Sequence, residues 1–228
     1  FYERAFLPTI WATFSDGKST MSNVVIPIIG IDRLRMGTDG SGVRTLIGTY
    51  GCPLRCKYCL NPQSWDGRRK PTVLTPEHLY KKVAIDSIYF QATNGGITIG
   101  GGEPLFHMDA IEQFAKLCPD TWNLWTETSL HVNSQKVAQA ANVFDHFIVD
   151  IKTTNTNIYR SYTGKELAVA MDNLFLLKDL VGADRIMVRI PQIPGFVDVH
   201  QQMVSVDWIA AQGFNSLDLF TYRTNINK

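Results

Sequence analysis

The sequence predicts an α/β fold built on a parallel sheet, in a single domain of 228 residues. Six apolar runs of strand length alternate with segments of helical length, an order that is typical of parallel strands joined by right-handed crossovers. Six such units are too few to close an eight-stranded barrel, which leaves a curved open barrel or a doubly wound sheet. In both folds, ligands bind at the carboxyl ends of the strands.

The elements follow from hydrophobic pattern and from the residues at their ends. The predicted strands are Val43–Tyr50, Gly96–Gly100, Leu124–Thr128, His146–Ile151, Arg185–Ile190 and Leu217–Tyr222. The predicted helices are Pro76–Gln91, Met108–Leu117, Ser134–Ala141, Ala168–Val181 and His200–Gln212. Thr75 and Asp198 are suitable N-caps for the first and last of these helices.

Several polar residues fall at the carboxyl ends of the predicted strands. They are Cys52, Gly101–Glu103, Glu127–Thr128, Asp150–Lys152, Arg189–Pro191 and Tyr222–Arg223. Because the ends of parallel strands meet at one edge of a sheet, these residues are expected to form one site.

Composition and charge exclude several functions. Lys and Arg total 22 against 21 Asp and Glu, so a net charge of +1 gives no basis for nucleic acid as the main partner. No apolar run approaches 18 residues, so no membrane span is predicted. Three of the four cysteines fall within eight residues, in a chain too long for a disulfide scaffold. They indicate metal ligands in a reducing compartment, and we expect a cytoplasmic protein.

The clustered cysteines are Cys52, Cys56 and Cys59. A zinc site normally takes four ligands, and neither Cys118 nor His107 stands at a paired-ligand spacing. Three thiolates on a short loop can instead hold three irons of a four-iron cluster and leave the fourth iron open for chemistry. The spacing leaves both readings open, and Cys118 is expected to be an inert buried thiol.

A glycine-rich motif, Gly100-Gly101-Gly102-Glu103-Pro104, ends the second predicted strand. It lacks the spacing of a dinucleotide or nucleoside-triphosphate site. Bare backbone at a strand end can bind a zwitterion closely, and Glu103 can receive an ammonium group. A plain Gly-Pro turn into the next helix is the alternative.

Taken together, the two motifs resemble the radical S-adenosylmethionine superfamily, and more closely the activating enzymes of glycyl radical enzymes. The similarity spans Ile28 to Arg223, with residues 1–27 as an N-terminal extension of a single domain. Besides the cysteines and glycines, it includes Asp150-Ile151-Lys152 and the Arg189 and Pro194-Gly195 segments. The resemblance implies an open partial (β/α)6 barrel.

The resemblance also assigns roles to single residues. Cys52, Cys56 and Cys59 would ligate one [4Fe-4S] cluster, and the open iron would bind the amino and carboxylate groups of S-adenosylmethionine. The remaining cofactor contacts would come from Tyr58, Asn61, Gly101, Gly102, Glu103, Thr128, Lys152, Arg189 and Arg223. Reductive cleavage of the cofactor would give a 5′-deoxyadenosyl radical that abstracts a hydrogen atom, an oxidoreductase chemistry suited to anaerobic conditions.

Two departures from the family pattern stand out. The cation-binding Asp-Thr appears here as Glu127-Thr128, near Asp150, so a monovalent cation site would be shifted or empty. A late histidine is replaced by Arg223, which has no neutral form and is expected to pair with a carboxylate.

The implied partners are a glycyl radical enzyme or a peptide as substrate and a flavodoxin- or ferredoxin-type electron donor, with the chain itself a monomer. Two other radical enzymes share the motifs: a small-molecule synthase similar to 7-carboxy-7-deazaguanine synthase, and a peptide-modifying maturase. A zinc-binding module without catalysis is the alternative from a different class.

Overall fold

A computed structural model describes residues 24–222 of the chain as one mixed sheet of eight strands with helices packed on it. The strands are β1 (Ile26–Met36), β2 (Val43–Thr49), β3 (Thr72–Leu74), β4 (Gly96–Gly101), β5 (Asn123–Thr128), β6 (His146–Asp150), β7 (Ile186–Gln192) and β8 (Ser216–Thr221). Their order is β3-β1-β2-β4-β5-β6-β7-β8. The six strands from β2 to β8 in that order run parallel, whereas β1 pairs antiparallel with both of its neighbours, β2 and β3. The predicted α/β partial barrel is therefore confirmed.

Seven α-helices connect the strands within these residues. They are α1 (Pro76–Val83), α2 (Ser87–Thr93), α3 (Met108–Ala115), α4 (Ser134–Ala141), α5 (Thr156–Thr163), α6 (Leu167–Val181) and α7 (Val199–Ala211). Both predicted caps are present: the Thr75 side chain accepts a hydrogen bond from the amide of His78, and Asp198 forms a capping box with Gln201. None of these helices has the length and apolar run needed to cross a bilayer.

The single helix predicted over Pro76–Gln91 is wrong, because a 3-10 turn at Ala84–Asp86 divides it into α1 and α2. The buried carboxylate of Asp86 explains the break. It accepts hydrogen bonds from Arg33 on β1, at 2.9 Å from Nε, and from Thr45 on β2, at 2.8 Å. The hydrogen bonds from β1 and β2 to this buried carboxylate therefore stabilise the 3-10 turn, and the α-helix is interrupted there.

Residues 37–42, between β1 and β2, pack across the amino-terminal end of the barrel. Arg44 is almost fully buried there and donates hydrogen bonds to Thr98 Oγ1 at 2.7 Å and to the carbonyl of Asn123 at 2.8 Å. Its guanidinium lies 5.1 Å from the centre of the Trp125 ring. Gly40 has a φ of +117°, and a Cβ there would come within 2.8 Å of Trp125. These contacts fill the amino-terminal end of the barrel and leave the site to the opposite end.

Candidate functional site

A cavity of about 750 Å³ opens at the carboxyl ends of the parallel strands. This volume is in the range of small-molecule sites. Most of the residues predicted from sequence line it: Cys52, Cys56, Cys59, Asn61, Gly101, Gly102, Glu127, Thr128, Asp150, Lys152 and Arg189. The prediction that strand ends gather these residues at one edge therefore agrees with the structure.

The cysteine loop follows β2 and is fixed by its backbone. The amide of Gly51 donates to the carbonyl of Ser64 at 2.7 Å. On the other side, the amides of Arg55 and Lys57 donate to the carbonyls of Thr163 and Tyr162, at 2.8 and 3.1 Å. These two acceptors belong to the last turn of α5, where helix carbonyls lack partners within the helix. The amides of the cysteine loop and the free carbonyls at the end of α5 thus supply each other's hydrogen-bond partners.

The three cysteines are chemically suited to an iron–sulfur cluster. All are free thiols, half buried, on the wall of one cavity. Burial, with the charge of Glu103 adding to it, raises the pKa of Cys52 to about 12, and burial raises that of Cys56 to about 11. Thiolates at these positions therefore need a nearby positive charge, which bound iron supplies.

Within residues 24–222, no three His, Cys, Asp or Glu side chains are close enough together to share a single metal ion. Thiolates around a four-iron cube bind separate irons and need not converge on one point. Cys118 does not line this cavity. It follows α3, is half buried, and donates weakly to the carbonyl of Phe114 at 3.4 Å.

The glycine-rich loop packs against the cysteine loop. The amide of Gly102 donates to the carbonyl of Thr49 at 3.0 Å, and that of Glu103 to the carbonyl of Gly51 at 2.6 Å. A Cβ on Gly102 would lie 2.3 Å from the oxygen of Gly51. The Asn61 side chain also reaches this loop, donating to the carbonyl of Gly101 at 3.4 Å. Glycine at position 102 is thus required by the contact between two loops.

Glu103 lies behind the glycine-rich loop and does not line the cavity. It is fully buried and accepts hydrogen bonds from Thr128 Oγ1 at 2.7 Å and from the hydroxyl and amide of Ser129 at 2.6 and 3.0 Å. Burial raises the pKa of Glu103, against these hydrogen bonds. The carboxylate ties β5 to the glycine-rich loop, and its contact with a cofactor amino group stays a prediction.

Lys152 is one of three cations on the cavity wall, with Arg35 and Arg189, whose partners are carboxylates. Its Nζ lies 3.1 Å from Asp150 Oδ2 and donates to the hydroxyl of Tyr222 at 3.2 Å. Although burial opposes it, Lys152 together with Arg189 holds the pKa of Asp150 below its usual value. The other oxygen of this carboxylate, Oδ1, is buried and has no hydrogen-bond partner within the described residues.

Arg189 connects three strands and the loop at the barrel's base. It donates to Glu127 Oε1 at 3.2 Å, to Asp218 Oδ2 at 3.0 Å and to the carbonyl of Thr38 at 3.0 Å. Burial raises the pKa of Glu127 to about 7, while the charge of Arg189 opposes that rise. Asp218 was not predicted from sequence. Strand register could have identified it, because Arg189 on β7 and Asp218 on β8 are directly paired positions.

Two predicted site residues remain, and of these the structure describes only Tyr58. Tyr58 does not line the cavity: its ring is 38% exposed and packs against the rings of Phe196 and Tyr162, at 6.0 and 6.3 Å. Its packing on an adenine stays a prediction. Arg223 lies outside the described residues, as do residues 1–23 of the predicted N-terminal extension.

The open barrel presents three free thiols at its carboxyl end, a set of ligands that suits an iron–sulfur cluster. The family model of the radical SAM superfamily matches residues 46–205, more than half of the chain. The chain therefore belongs to the radical SAM superfamily. Membership implies a [4Fe-4S] cluster and S-adenosylmethionine, and it decides against a zinc-binding module at Cys52, Cys56 and Cys59.

Within that superfamily, the chain is similar to the pyruvate formate-lyase-activating enzyme of Staphylococcus epidermidis, with 29% identity over 191 residues, 80% of this chain and 74% of the relative. The same values hold for the pyruvate formate-lyase-activating enzyme of Staphylococcus aureus strain USA300.

The fold is also that of Streptococcus suis SuiB bound to S-adenosylmethionine, with a TM-score of 0.59 and 13% identity over 78% of this chain. This chain spans 40% of the length of SuiB.

Proposed function

We propose that this chain activates a glycyl radical enzyme by removing a hydrogen atom from a glycine of that partner. The observation that carries the proposal is its similarity, over 80% of its length, to curated pyruvate formate-lyase-activating enzymes. The cavity supports it, because the three thiols, the glycine-rich loop and the cations of Lys152 and Arg189 line one space.

Some side chains of the site would bind the cluster, and others would bind and orient S-adenosylmethionine. Cys52, Cys56 and Cys59 would hold the cluster, which together with S-adenosylmethionine supplies reductive cleavage of a carbon–sulfur bond and a primary carbon radical. Lys152, just after β6, and Arg189, in the middle of β7, present cations to the cavity, where they would bind the cofactor's carboxylate and ribose. Their pairing with Asp150 and Glu127 holds both cations in place before any ligand binds.

A segment of a macromolecule is the substrate that this barrel would admit. In the described part of the chain, β3 and β8 form the two ends of the sheet and do not pair with each other. The barrel is therefore open along its side, where a loop of a partner protein could reach the cavity.

The proposal includes an acidic electron carrier of the flavodoxin or ferredoxin type. Arg55 and Lys57 flank Cys56, and three further basic residues follow at Arg68, Arg69 and Lys70. All five side chains are exposed. A basic surface beside the cluster would attract an acidic donor, so reduction by such a protein should slow as ionic strength rises.

A monovalent cation is proposed beside Asp150, whose unpartnered Oδ1 is the free ligand atom there. Glu127 and Thr128 are its expected neighbours, although Arg189 already neutralises part of the charge on Glu127. Comparing S-adenosylmethionine affinity in potassium, sodium and a bulky organic cation tests this site.

The function itself is tested with anaerobically reconstituted protein, S-adenosylmethionine and a glycyl radical enzyme. We expect 5′-deoxyadenosine and a glycyl radical signal by electron paramagnetic resonance. A partner whose radical-site glycine is replaced by alanine is the control and should give no such signal. Cofactor cleavage that responds only to a short peptide or to a pterin would replace the proposal by one of the two alternative radical chemistries.

A further inference from the structure

The chain makes a strained turn directly after β5. Within residues 24–222, three residues other than glycine have a positive φ: Leu34, Asn94 and Leu130. Asn94 is exposed and ends α2, where asparagine tolerates left-handed backbone, and Leu34 is 40% exposed on β1. Leu130, at a φ of +54°, is fully buried. A leucine in this conformation is costly, and such residues persist where surrounding contacts hold them, often beside a ligand site.

The strained turn adjoins the wall of the cavity. Thr128 and Ser129, the two residues before it, both line the cavity. Thr128 Oγ1 donates to Glu103 Oε1 at 2.7 Å and accepts from the amide of Leu130 at 2.9 Å. The amide and hydroxyl of Ser129 donate to the other oxygen of Glu103. Since the side chain of Leu130 packs in the core, the left-handed turn brings the chain from the cavity wall into the core within one residue.

Asn173, on α6, holds this turn. The residue is 5% exposed, and its Nδ2 donates to the carbonyls of Leu130 and Val132, each at 2.8 Å. Within the turn, the amide of Val132 also donates to the carbonyl of Leu130 at 2.9 Å. Asn173 itself does not line the cavity. Because one amide group binds the carbonyls on both sides of residue 131, Asn173 fixes the strained backbone from outside the site.

We propose that Asn173 is a positioning residue for the S-adenosylmethionine that the superfamily implies. It holds Leu130 in the left-handed conformation and thereby keeps Thr128 and Ser129 in place on the wall that binds the cofactor. Without Asn173 the strained turn would relax, and a smaller fraction of the molecules would present a competent wall. The apparent affinity falls by the same fraction. The proposal depends on the cofactor of the superfamily, and it is independent of which substrate the enzyme acts on.

The test is the affinity of the reconstituted protein for S-adenosylmethionine, measured by calorimetry without a reductant so that no cofactor is cleaved. In Asn173→Ala we expect a full cluster and about tenfold weaker binding. A tenfold loss corresponds to about 1.4 kcal/mol, which is within the range of the strain of one left-handed residue. If Asn173→Ala does not fold, Asn173→Ser, which keeps a shorter donor, should fold with a full cluster and show a smaller loss of affinity.

Leu130→Gly separates positioning from stability. Glycine adopts a positive φ without strain, but the variant loses a buried side chain, so it should melt well below the wild type. Its affinity for S-adenosylmethionine should nevertheless stay within about twofold of the wild type, and in this background Asn173→Ala should weaken binding by less than about threefold. If Asn173 contributed to stability alone, the loss of affinity would instead follow the loss in melting temperature.

Phe144→Leu is the matched control, because Phe144 is buried in the core just before β6 and does not line the cavity. It should lower the melting temperature and leave the affinity unchanged. Wild-type affinity in an Asn173 variant with a full cluster, an equal loss in Phe144→Leu, or an undiminished loss in the Leu130→Gly background overturns the proposal. Loss of the cluster in Asn173→Ala overturns it as well, because Asn173 then acts on cluster assembly.

Discussion

Replacing Gly102 by alanine tests whether the glycine-rich loop is specified by its contact with the cysteine loop. The new Cβ would lie 2.3 Å from the backbone oxygen of Gly51, and ordinary van der Waals contact begins at 3.4 Å, so the loops must separate by about 1 Å. The hydrogen bonds from the amides of Gly102 and Glu103 to Thr49 and Gly51 would then be lost. At about 1 kcal/mol each, plus residual strain, the variant should be destabilised by about 2–3 kcal/mol.

For a chain of this size that loss lowers the melting temperature by roughly 4–12 °C. The assay is thermal unfolding of the iron-free protein, followed by circular dichroism, so that no cofactor effect enters. Gly30→Ala is the control, because a Cβ at Gly30 meets nothing within 4 Å, and it should melt within about 2 °C of the wild type. A Gly102→Ala protein that melts with the wild type would refute the steric argument and return this glycine to a role in ligand approach alone.

Three further outcomes are expected. Cys56→Ala should lose the cluster whereas Cys118→Ala should keep it, and iron analysis after anaerobic reconstitution would contradict this if both lost iron equally. Lys152→Ala and Arg189→Ala should each keep the cluster but bind S-adenosylmethionine about 10- to 100-fold more weakly, since each loses a charge-assisted hydrogen bond. Calorimetry measures this affinity, and an unchanged value in both variants would make the two residues purely structural. The pKa of Glu127 is about 7 in the fold against 4.5 ordinarily, so the folded protein holds a proton that the unfolded chain releases, and stability should fall as pH rises from about 5 to 7. Urea unfolding across this range should show a shallower fall in Glu127→Gln, and equal slopes would count against the raised pKa.

The parallel strands were predictable because both of their faces are buried. Runs such as Gly96–Gly101 are apolar on both sides, which produces an unbroken hydrophobic signal. The two strands on the antiparallel side of the sheet, β1 and β3, were missed, because half of β1 is charged or exposed and β3 has only three residues. The helix α5 was missed for another reason: its sequence, TNIYRSYT, is poor in strong helix formers, and its ends depend on the Asn155 cap and on Gly164 at a φ of +75°.

The location of the site could be predicted, but its pairings could not. Topology alone brings strand ends together, and this located Lys152 and Arg189 correctly on the cavity wall. Which carboxylate meets which cation depends on strand register and on side-chain direction, neither of which the sequence pattern defines. Glu103 is an example. Its sequence next to the glycine-rich loop fits a residue that contacts a ligand, but in the structure its carboxylate accepts hydrogen bonds from Thr128 and Ser129 at the end of β5.

The unpaired ends of the sheet have a mechanical consequence. Every neighbouring pair of strands from β3 to β8 is joined by a ladder of backbone hydrogen bonds, but in the described residues no such ladder joins β8 to β3. Separating these two edges therefore breaks no strand–strand hydrogen bond, and the barrel can widen along one side while the rest of the sheet keeps its register. The cysteine loop follows β2, which lies inside the sheet, so it need not move when these edges separate. Under the proposed function, this freedom of the sheet edges would let a loop of a partner protein enter the cavity while the cysteine loop keeps its geometry.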